Sequence, residues 1–428
     1  MKLQSYLSVV LTAQLSNASL LPRGLPVVHD KRQMSIASIA VTALNSPYGK
    51  VAGVQKLPSK VDMPSAHPEV PGFKTVKVRY GPYKVPNMGK VTRTLTGPEE
   101  GALWNYPDQN IQKPCTGDCV IVGIRPDYED LNGESVNVDN GHWLHHIVLL
   151  SSNTRADPTC AARGTGSLPH WVVGFNPASS ERLFASGNER TTVRLFDMGI
   201  TDAGYVVKKA DTFAMIVDLM NMNMEDSTLY VVINYDIIEG PLPKGMSEIK
   251  PLWLDVDQCG FSEAKAKSQA GSYKLGSVPW KSNVDGELIV LGGHIHDGGT
   301  GLLFKVDGTT ICDSRAGYGE TAKYISGGGK ANATPAAPAA PAAPAAPAAG
   351  AAGHGHGGAG VPHISSMVLC WKGKKELKLP QIKTGQTWTV EATYDYKERA
   401  GATHPNGQQE NVMGIGVVWI KKANSAIR

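Results

Sequence analysis

The chain has 428 residues, of which 41% are hydrophobic and 19% are charged, and its formal net charge is +4. This length favours two domains of about 150–200 residues each. The charge is small and the basic residues are scattered, apart from a run at Lys372–Lys378 that is typical of a solvated turn, so nucleic acid is not an expected partner.

The N-terminus resembles a secretory signal peptide over residues 1–19. Lys2 supplies the charge, the stretch YLSVVLTAQL is apolar, and Ala18 is a small residue at a suitable cleavage position. An uncleaved N-terminus is the alternative. Residues 20–69 are interpreted as an N-terminal segment and candidate propeptide, because Lys31 and Arg32 form a dibasic pair. No later stretch reaches the roughly 18 apolar residues of a membrane span, and the C-terminus lacks an apolar tail. We therefore expect a secreted, soluble protein with no membrane partner.

The even number of cysteines favours disulfide bonds formed in an oxidising compartment. Cys115 and Cys119 lie close together in the sequence CTGDC. Cys312 and Cys370 flank a linker and can join its two ends, but the sequence leaves the pairing of all six cysteines open. A thiolate metal site is the rival interpretation of CTGDC, although its spacing differs from the CxxC of zinc knuckles.

Short runs of β-branched and aromatic residues, separated by Gly, Pro, Asn and Asp, predict an all-β fold. One series of runs fills residues 70–245 and a second fills residues 246–425. We expect two tandem antiparallel β-sandwich domains of the jelly-roll type. The main strand candidates are CVIVGI, HIVLLSS, TLYVVINYDII, GELIVLGG, GLLFKVDG, TWTVEATYDY and GIGVVWIKK.

A low-complexity segment at residues 334–360 interrupts the second series. Proline at every third position prevents a regular helix or strand, and the composition offers nothing to form a core. Because strand-like sequence resumes directly afterwards, we interpret the segment as a disordered insertion within the second domain. Asn332 begins a glycosylation sequon beside it. His354 and His356 at its glycine-rich end are not expected to bind a metal.

The sequence HIH at residues 294–296 is the first candidate metal site. Side chains two apart on a strand share a face, so His294 and His296 can converge on one ion. Met413, at the start of a later strand candidate, can supply a third ligand. Two imidazoles and a thioether form a soft site suited to copper, above all Cu(I), and poorly suited to zinc or calcium. Surface histidines and a core methionine are the alternative interpretation.

His145 and His146 in the sequence HWLHH form the second candidate. Neighbours on a regular strand point to opposite faces, so both can bind one ion only if the backbone is irregular there, at a strand start or a bulge, or if the two rings use different nitrogens. Gly141 just upstream marks the entry of a strand. One buried and one exposed histidine is the alternative.

These motifs resemble those of the copper type II, ascorbate-dependent monooxygenases, which include peptidylglycine α-hydroxylating monooxygenase and dopamine β-monooxygenase. The family's HHM-type pair is similar to HHIVLL, its HxH with a following Gly-containing turn is similar to HIHDGG, and its late methionine segment is similar to EATYDYKERAGATHPNGQQENVMG. The likeness covers residues from about 70 to 425. It implies two antiparallel β-sandwich domains with one copper in each.

The resemblance implies a role for each candidate ligand. His294, His296 and Met413 would form the oxygen-activating copper site, and His145 and His146 would bind the electron-storing copper. A reductant such as ascorbate would load one or two copper ions, and O2 would hydroxylate a C–H bond of a small-molecule or peptide substrate. A thioether favours the reduced metal that must meet O2.

The copper site expected in the first domain, at His145 and His146, departs from the family pattern. The family's third ligand there is a histidine in a VHY strand, and the corresponding stretch LYVVINYDII places Asn234 at that position. His142 or His170 can replace it, or the first site is weakened or empty. The alternative function is therefore a non-catalytic copper-binding or surface-interaction protein that retains the fold.

The substrate-binding residues also differ. The peptide-hydroxylating member holds a carboxylate with an arginine two residues before HxH, where this chain has Gly292. A glycine-extended peptide is therefore not the expected substrate. Asp297 is expected to orient a ligand histidine rather than to bind a cationic substrate. The polar stretch Ser186–Thr192 is interpreted as a surface turn with a salt bridge.

Overall fold

The structure is a computed structural model that describes residues 46–94, 97–152, 155–161, 168–197, 201–327, 360–404 and 407–422. The predicted signal peptide, the sequon at Asn332, the histidines at 354 and 356 and nearly all of the Pro/Ala-rich segment lie outside the described residues. So does the first part of the 20–69 segment.

Strands dominate the described chain, which confirms the predicted all-β class. The strands up to residue 245 are β1 (Gly49–Lys50), β2 (Lys60–Met63), β3 (Phe73–Val85), β4 (Val91–Arg93), β5 (Pro98–Glu100), β6 (Ala102–Ile111), β7 (Cys119–Glu129), β8 (His142–Ser152), β9 (Ser180–Gly187), β10 (Val193–Arg194), β11 (Phe196–Asp197), β12 (Thr201–Val207), β13 (Thr212–Asn221) and β14 (Ser227–Glu239). A 3₁₀ turn (Val138–Asn140) and a short helix, α1 (Leu168–Val172), lie between them.

A second run of strands follows residue 245. It comprises β15 (Ser247–Asp255), β16 (Glu263–Ala264), β17 (Ser272–Gly276), β18 (Trp280–Lys281), β19 (Gly286–Ile295), β20 (Gly299–Val306), β21 (Thr309–Tyr318), β22 (Ile364–Met367), β23 (Cys370–Trp371), β24 (Gln381–Ile382), β25 (Thr387–Asp395) and β26 (Val412–Lys422), with a 3₁₀ turn at Ala322–Tyr324. None of the helices among the described residues is long and apolar enough to span a membrane.

One long sheet runs through both series of strands. Its hydrogen-bonded order is β1-β3-β14-β7-β12-β15-β26-β19-β23, and the link between the series is the parallel pairing of β12 with β15. A four-stranded sheet, β6-β13-β8-β9, and a six-stranded sheet that contains β17-β25-β20-β21-β22 complete the layers. We call residues 70–245 the N-terminal half and residues 246–425 the C-terminal half; this division into domains stays a prediction.

Two cores follow from the alternation of side chains along β26. Met413, Ile415 and Val417 belong to a core shared with the N-terminal half, while Val418 and Ile420 belong to the core of the C-terminal half. Successive side chains of a strand point to opposite faces, so each strand of the long sheet can serve both cores. The face of β26 that carries Met413, Ile415 and Val417 consequently meets the N-terminal half, and so does the same face of the neighbouring strand β19.

Disulfide bonds join all six cysteines. Cys312 pairs with Cys370 across the Pro/Ala-rich insertion, as the sequence allowed, and Cys115 pairs with the nearby Cys119. The third bond, between Cys160 and Cys259, links the two halves. These bonds support the disulfide interpretation of CTGDC over a thiolate metal site.

Candidate metal centre

A bulge in β8 sets the directions of His145 and His146. His146 is opposite Asp218 of β13, while Leu144 is opposite Leu219, so His145 is the extra residue between two paired positions. A bulge re-aims one of two neighbouring side chains that a regular strand would direct to opposite faces. The two imidazole rings have their centroids 5.3 Å apart. This is the irregularity that an adjacent pair of ligands requires.

The end of strand β19 directs His294, and His296 directly after the strand, to the face that meets the N-terminal half. Their ring centroids are 5.6 Å apart. His294 is opposite Ile415 of β26, and continuing this register places the buried Met413 opposite His296 on the same face. The Tyr394 hydroxyl accepts from the His296 N–H at 3.1 Å and donates to the Met413 carbonyl at 2.6 Å. The predicted set His294, His296 and Met413 thus shares one face of the sheet.

The two histidine pairs lie side by side in one imidazole group, which we define as His145, His146, His294 and His296. The rings of His145 and His296 are 4.4 Å apart between centroids, and His146 is 6.4 Å from both His294 and His296. Donor atoms of His145, His146 and His296 lie within 4.8 Å of one another. The residues expected to form two separate sites, one in each sandwich, are thus brought together, because β8 and β19 meet at the interface of the halves.

Gly187 permits this close approach. It ends β9, where it pairs with His146. A Cβ atom at this position would lie 2.4 Å from Cε1 of His294 and 2.5 Å from the carbonyl oxygen of His145. Real Cβ atoms do not tolerate such contacts, so the absence of a side chain at residue 187 leaves the space that the His294 ring occupies.

The two imidazoles that the C-terminal half contributes to the group, His294 and His296, are each held through Nδ1. In His294 this nitrogen lies 3.1 Å from both carboxylate oxygens of Glu189. In His296 it lies 2.9 Å from the carbonyl oxygen of Asn411. Both acceptors require a proton on Nδ1, which leaves Nε2 as the ligand nitrogen of each ring. Burial alone would raise the pKa of Glu189, but the charge and hydrogen bond of His294 outweigh it and lower that pKa.

His146 is held through Nε2 instead. The Asn105 amide donates through Nδ2 to Glu263 at 3.2 Å, so its oxygen faces His146 Nε2 at 2.9 Å. That oxygen can only accept, which requires a proton on Nε2 and leaves Nδ1 as the ligand nitrogen. Donor atoms of His146, Asp218 and Glu263 also lie within 4.8 Å of one another. The protonated Nε2 argues against a separate metal site there.

His145 lies against a buried carboxylate of its own half. Its Nδ1 is 3.3 Å from Oδ1 of Asp218, which is completely buried. Burial opposes protonation of the ring, but the charges of Asp218, Glu410 and Glu263 outweigh it and raise the pKa of His145 to about 9. Without a metal, His145 therefore carries a proton at neutral pH.

The donor set fits copper. His146 Nδ1 and His294 Nε2 are buried and have no hydrogen-bond partner among the described residues. An unpaired buried polar atom costs about 1–3 kcal/mol, and a metal ion is the partner that an imidazole nitrogen accepts. Burial and the neighbouring histidines hold the pKa of His146 well below its usual range, so this ring is neutral, as a ligand must be. Imidazoles beside a thioether form a soft set that suits copper.

A cavity of about 30 Å³ opens beside the imidazole group. Its lining includes Trp143, His145, Asn188, Glu189, His294, His296, Asp297, Ile364 and Glu410. A cavity of about 10–15 Å³ already holds a water molecule. The space thus accommodates a molecule of the size of water or O2 beside the histidines.

Two residues considered as a further ligand beside His145 and His146 lie elsewhere. Asn234 is on the face of β14 that points away from the shared core, and its amide donates to the carbonyl of Arg125 at 3.5 Å. His142 places one ring nitrogen 3.1 Å from Asn140 and the other 2.9 Å from Ser227. Burial lowers the pKa of His142 to about 4. β8 pairs with β13 and β9 rather than with β14, and the partner of His146 on β13 is Asp218.

His170 and Asp297 also contact other partners. His170 in α1 packs against Phe175 with ring centroids 5.5 Å apart, and it is not part of the three-histidine set within 4.8 Å. Asp297 accepts from His363 Nδ1 at 2.6 Å and from the Ile364 N–H at 3.0 Å, rather than from a histidine of the imidazole group. Trp143 packs edge-on against His363, with centroids 4.5 Å apart.

Sequence reasoning missed the acceptors around the imidazole group. The stretch Ser186–Thr192, interpreted as a surface turn, contains the buried Glu189 that binds His294. Asp218 lies in an apolar strand, where its surroundings gave no signal other than an isolated charge. Asn105 and Glu263 carried no motif, although Asn105 has a φ of 43°, which is uncommon for a residue other than glycine.

Comparisons with known proteins give the following. No protein-family model matches the chain. It is 30% identical over 297 residues to probable copper-dependent oxygenase clz3 of Cochliobolus lunatus, covering 69% of this chain and 77% of the relative. It is 26% identical over 354 residues to probable copper-dependent oxygenase M1 of Phoma sp., covering 82% and 73%. Among solved structures, PNGase F of Flavobacterium meningosepticum has a TM-score of 0.32 at 10% identity, over 82% of this chain and 96% of that one. A likeness that weak carries no argument.

Proposed function

The chain belongs to the family of probable copper-dependent oxygenases, and from that premise we propose that it uses copper and O2 to hydroxylate an organic substrate. We further propose that the copper centre is shared between the halves. His145, His146 and His296 would supply its donors, with His294 and Met413 beside them.

One observation carries this proposal. Each of the four imidazoles has one nitrogen beside an acceptor of the protein, namely Asp218, the Asn105 amide, Glu189 or the Asn411 carbonyl. Ligand histidines are typically fixed in this way by a partner on the other ring nitrogen. Four histidines with incidental roles would not be expected to share that arrangement at one buried place.

Bound copper would supply the reaction of O2 with a C–H bond. The residues of the chain would hold the ion, and burial and the neighbouring histidines keep the ligand nitrogen of His146 unprotonated. At His145 the raised pKa means that binding copper must first remove a proton. Asp218 would then balance the positive charge of the ion.

We propose ascorbate, or a reductant of similar chemistry, as the electron donor, and secretion as the fate of the protein. The resemblance in the order of the histidine and methionine motifs supports the first proposal. The three disulfide bonds support the second, because such bonds persist in oxidising compartments.

The proposed substrate is a small molecule or peptide that is not held by an arginine clamp. A Cβ atom at Gly292 would lie 2.3 Å from Cδ2 of Leu369, so a longer side chain at this position would have to displace the Leu369 side chain. Recognition of a substrate carboxylate would need another group.

A non-catalytic copper-binding role is the second candidate, and the small size of the cavity favours it. A space of about 30 Å³ has room for water or O2, and an organic substrate would have to bind at its mouth. The two functions differ in whether reduced copper reacts productively with O2.

Oxygen uptake by the copper-loaded protein with ascorbate tests the proposal. We expect copper-dependent uptake in the wild-type protein and its loss in His296→Ala. His67→Ala is the matched control, because His67 pairs with Glu69 and lies outside the imidazole group. Copper binding without any oxygen uptake would favour the non-catalytic role.

A further inference from the structure

Two carboxylates cross the interface and act on histidines of the other half, one by direct contact and one through an amide. Glu189 belongs to the N-terminal half and contacts His294 of the C-terminal half. Glu263 belongs to the C-terminal half and acts on His146 of the N-terminal half through Asn105. We call Glu189 and Glu263 the crossing carboxylates.

The first contact is a direct, buried one. Both oxygens of Glu189 lie 3.1 Å from His294 Nδ1, and Oε1 also accepts from the Gly187 N–H at 2.8 Å. Glu189 and His294 are both almost completely buried. Water therefore cannot readily replace Glu189 as the acceptor while the halves are in contact.

The second contact is a relay. Oε1 of Glu263 accepts from Trp104 Nε1 at 3.3 Å and from Asn105 Nδ2 at 3.2 Å. This orients the Asn105 oxygen toward His146 Nε2. Glu263 lies in β16, where it is paired with Met413 of β26. The relay thus connects the backbone of Met413, whose thioether is a candidate ligand, to His146 of the other half.

The remaining two histidines are held within their own halves. His145 lies beside Asp218, and His296 lies beside the Asn411 carbonyl. Separating the halves would leave these contacts intact, but it would remove the acceptor of His294 and the carboxylate that orients the acceptor of His146. One histidine from each pair therefore depends on closure.

We infer that Glu189 and Glu263 are reciprocal positioning residues, which fix the ligand tautomers of His294 and His146 only when the two halves are closed. The inference rests on the proposed copper function. It implies that copper binding favours contact between the halves, and that contact between the halves raises the copper affinity by the same factor.

Cu(II) affinity and the Cu(II) EPR spectrum test this inference in Glu189→Gln, Glu263→Gln and Asn105→Gly. Glycine suits the positive φ of residue 105, so the last variant removes the relay without straining the backbone. Loss of a partner that orients a ligand weakens metal binding by about 10–100-fold. We expect at least about a tenfold loss in each variant, with an altered EPR spectrum.

Glu248→Gln is the matched control. Glu248 also bridges the halves, through an ion pair with Arg155 at 2.9 Å, but it touches no histidine. We expect its copper affinity and spectrum to equal those of the wild type. An equal effect in Glu248→Gln would overturn the inference, because general weakening of the interface would then explain the loss. Unchanged spectra in the three test variants, with copper still bound, would overturn it too. A wild-type protein that binds no copper would overturn the proposed function itself.

Hydrogen exchange gives a readout that does not depend on the copper spectrum. If closure and copper binding are coupled, copper slows amide exchange at Glu263 and at the end of β9 in the wild-type protein. We expect this protection to shrink in Glu263→Gln and Asn105→Gly but to persist in Glu248→Gln. Equal protection in all of these proteins would contradict the coupling.

Discussion

At the scale of single residues, Gly187 determines how closely His294 can approach the N-terminal half. Gly187→Ala would place a Cβ atom 2.4 Å from His294 and 2.5 Å from the His145 carbonyl. Overpacking of this kind costs about 1–3 kcal/mol. We expect a lower unfolding free energy and weaker copper binding, measured by denaturation and by competition with a chelator.

Gly276→Ala is the control for that substitution. Gly276 also lies in a strand, but a Cβ atom there meets nothing within 4 Å. We expect a change in stability below about 0.5 kcal/mol and no change in copper affinity. Wild-type affinity in Gly187→Ala would mean that the imidazole group does not require the observed contact.

The raised pKa of His145 predicts a pH-dependent copper affinity. Because the ring is protonated below about pH 9, copper must displace that proton. The affinity should therefore rise with pH, by about tenfold per unit while one proton is released. Titrations at several pH values between about 6 and 8 measure the slope. A slope of zero, or the same slope in His145→Ala, would contradict this assignment.

The sequence located the four histidines because HH and HIH are local motifs. It did not locate their acceptors, since these come from distant parts of the chain. Glu189 is 105 residues from His294, and Asn105 is 158 residues from Glu263. Asn234 was assigned from a likeness between strands, whereas the hydrogen-bonded neighbours of β8 are β9 and β13, and β13 brings Asp218 to the site.

At the scale of elements, the predicted strands are present, and the bulge in β8 is the feature that makes the HH pair usable. The sequence could state that a bulge was needed but could not show that it occurs. Buried and partly exposed residues alternate along β25, which is typical of a half-buried strand. Nearly all positions of β13, in contrast, are buried. The order of strands in the long sheet could not be predicted, because the parallel β12–β15 pair joins segments without a local signal.

The disulfide bond between the halves predicts a large stability effect. Cys160 and Cys259 are separated by 99 residues, whereas Cys115 and Cys119 are separated by 4. Closing a loop of about 100 residues restricts the unfolded chain by about 4–5 kcal/mol. The double substitution Cys160→Ser with Cys259→Ser should lower the unfolding free energy by about 3–5 kcal/mol in non-reducing denaturation.

The short loop provides the comparison for this experiment. Replacing both Cys115 and Cys119 by serine should cost about 2 kcal/mol or less, since a small loop restricts the unfolded chain less. Equal losses for the two double substitutions would show that local packing, rather than the link between the halves, determines the effect.

At the scale of the whole molecule, buried neutral histidines should make the fold sensitive to acid. Burial and the charge of Arg182 lower the pKa of His170 from 6.5 to about 3. Between these values the unfolded chain binds a proton that the folded chain does not, so the unfolding free energy falls as the pH falls. The loss is about 1.4 kcal/mol per pH unit for this one group.

Denaturation at several pH values checks this expectation. His170→Gln should unfold at a lower denaturant concentration at neutral pH but should have a shallower dependence on pH below about 6.5. His142, whose pKa burial lowers to about 4, contributes in the same direction. Parallel curves for the variant and the wild type would contradict the assignment to His170.

The all-β class followed from short-range patterns, but the junction of the halves did not. A pattern with a period of two residues identifies strands and their buried faces. It does not show that one face of β19 and β26 packs against the N-terminal half. This packing brings the two histidine pairs together into one group. That arrangement depends on long-range contacts that leave no periodic trace.

The Cu(II) EPR spectrum of the loaded protein, compared with His145→Ala and His296→Ala, tests the shared centre most directly. His145 belongs to the N-terminal half and His296 to the C-terminal half, with ring centroids 4.4 Å apart. The account predicts that both substitutions alter the same copper signal. Two independent signals, each lost in only one of the variants, would contradict a shared centre and would mean that each half binds its own copper.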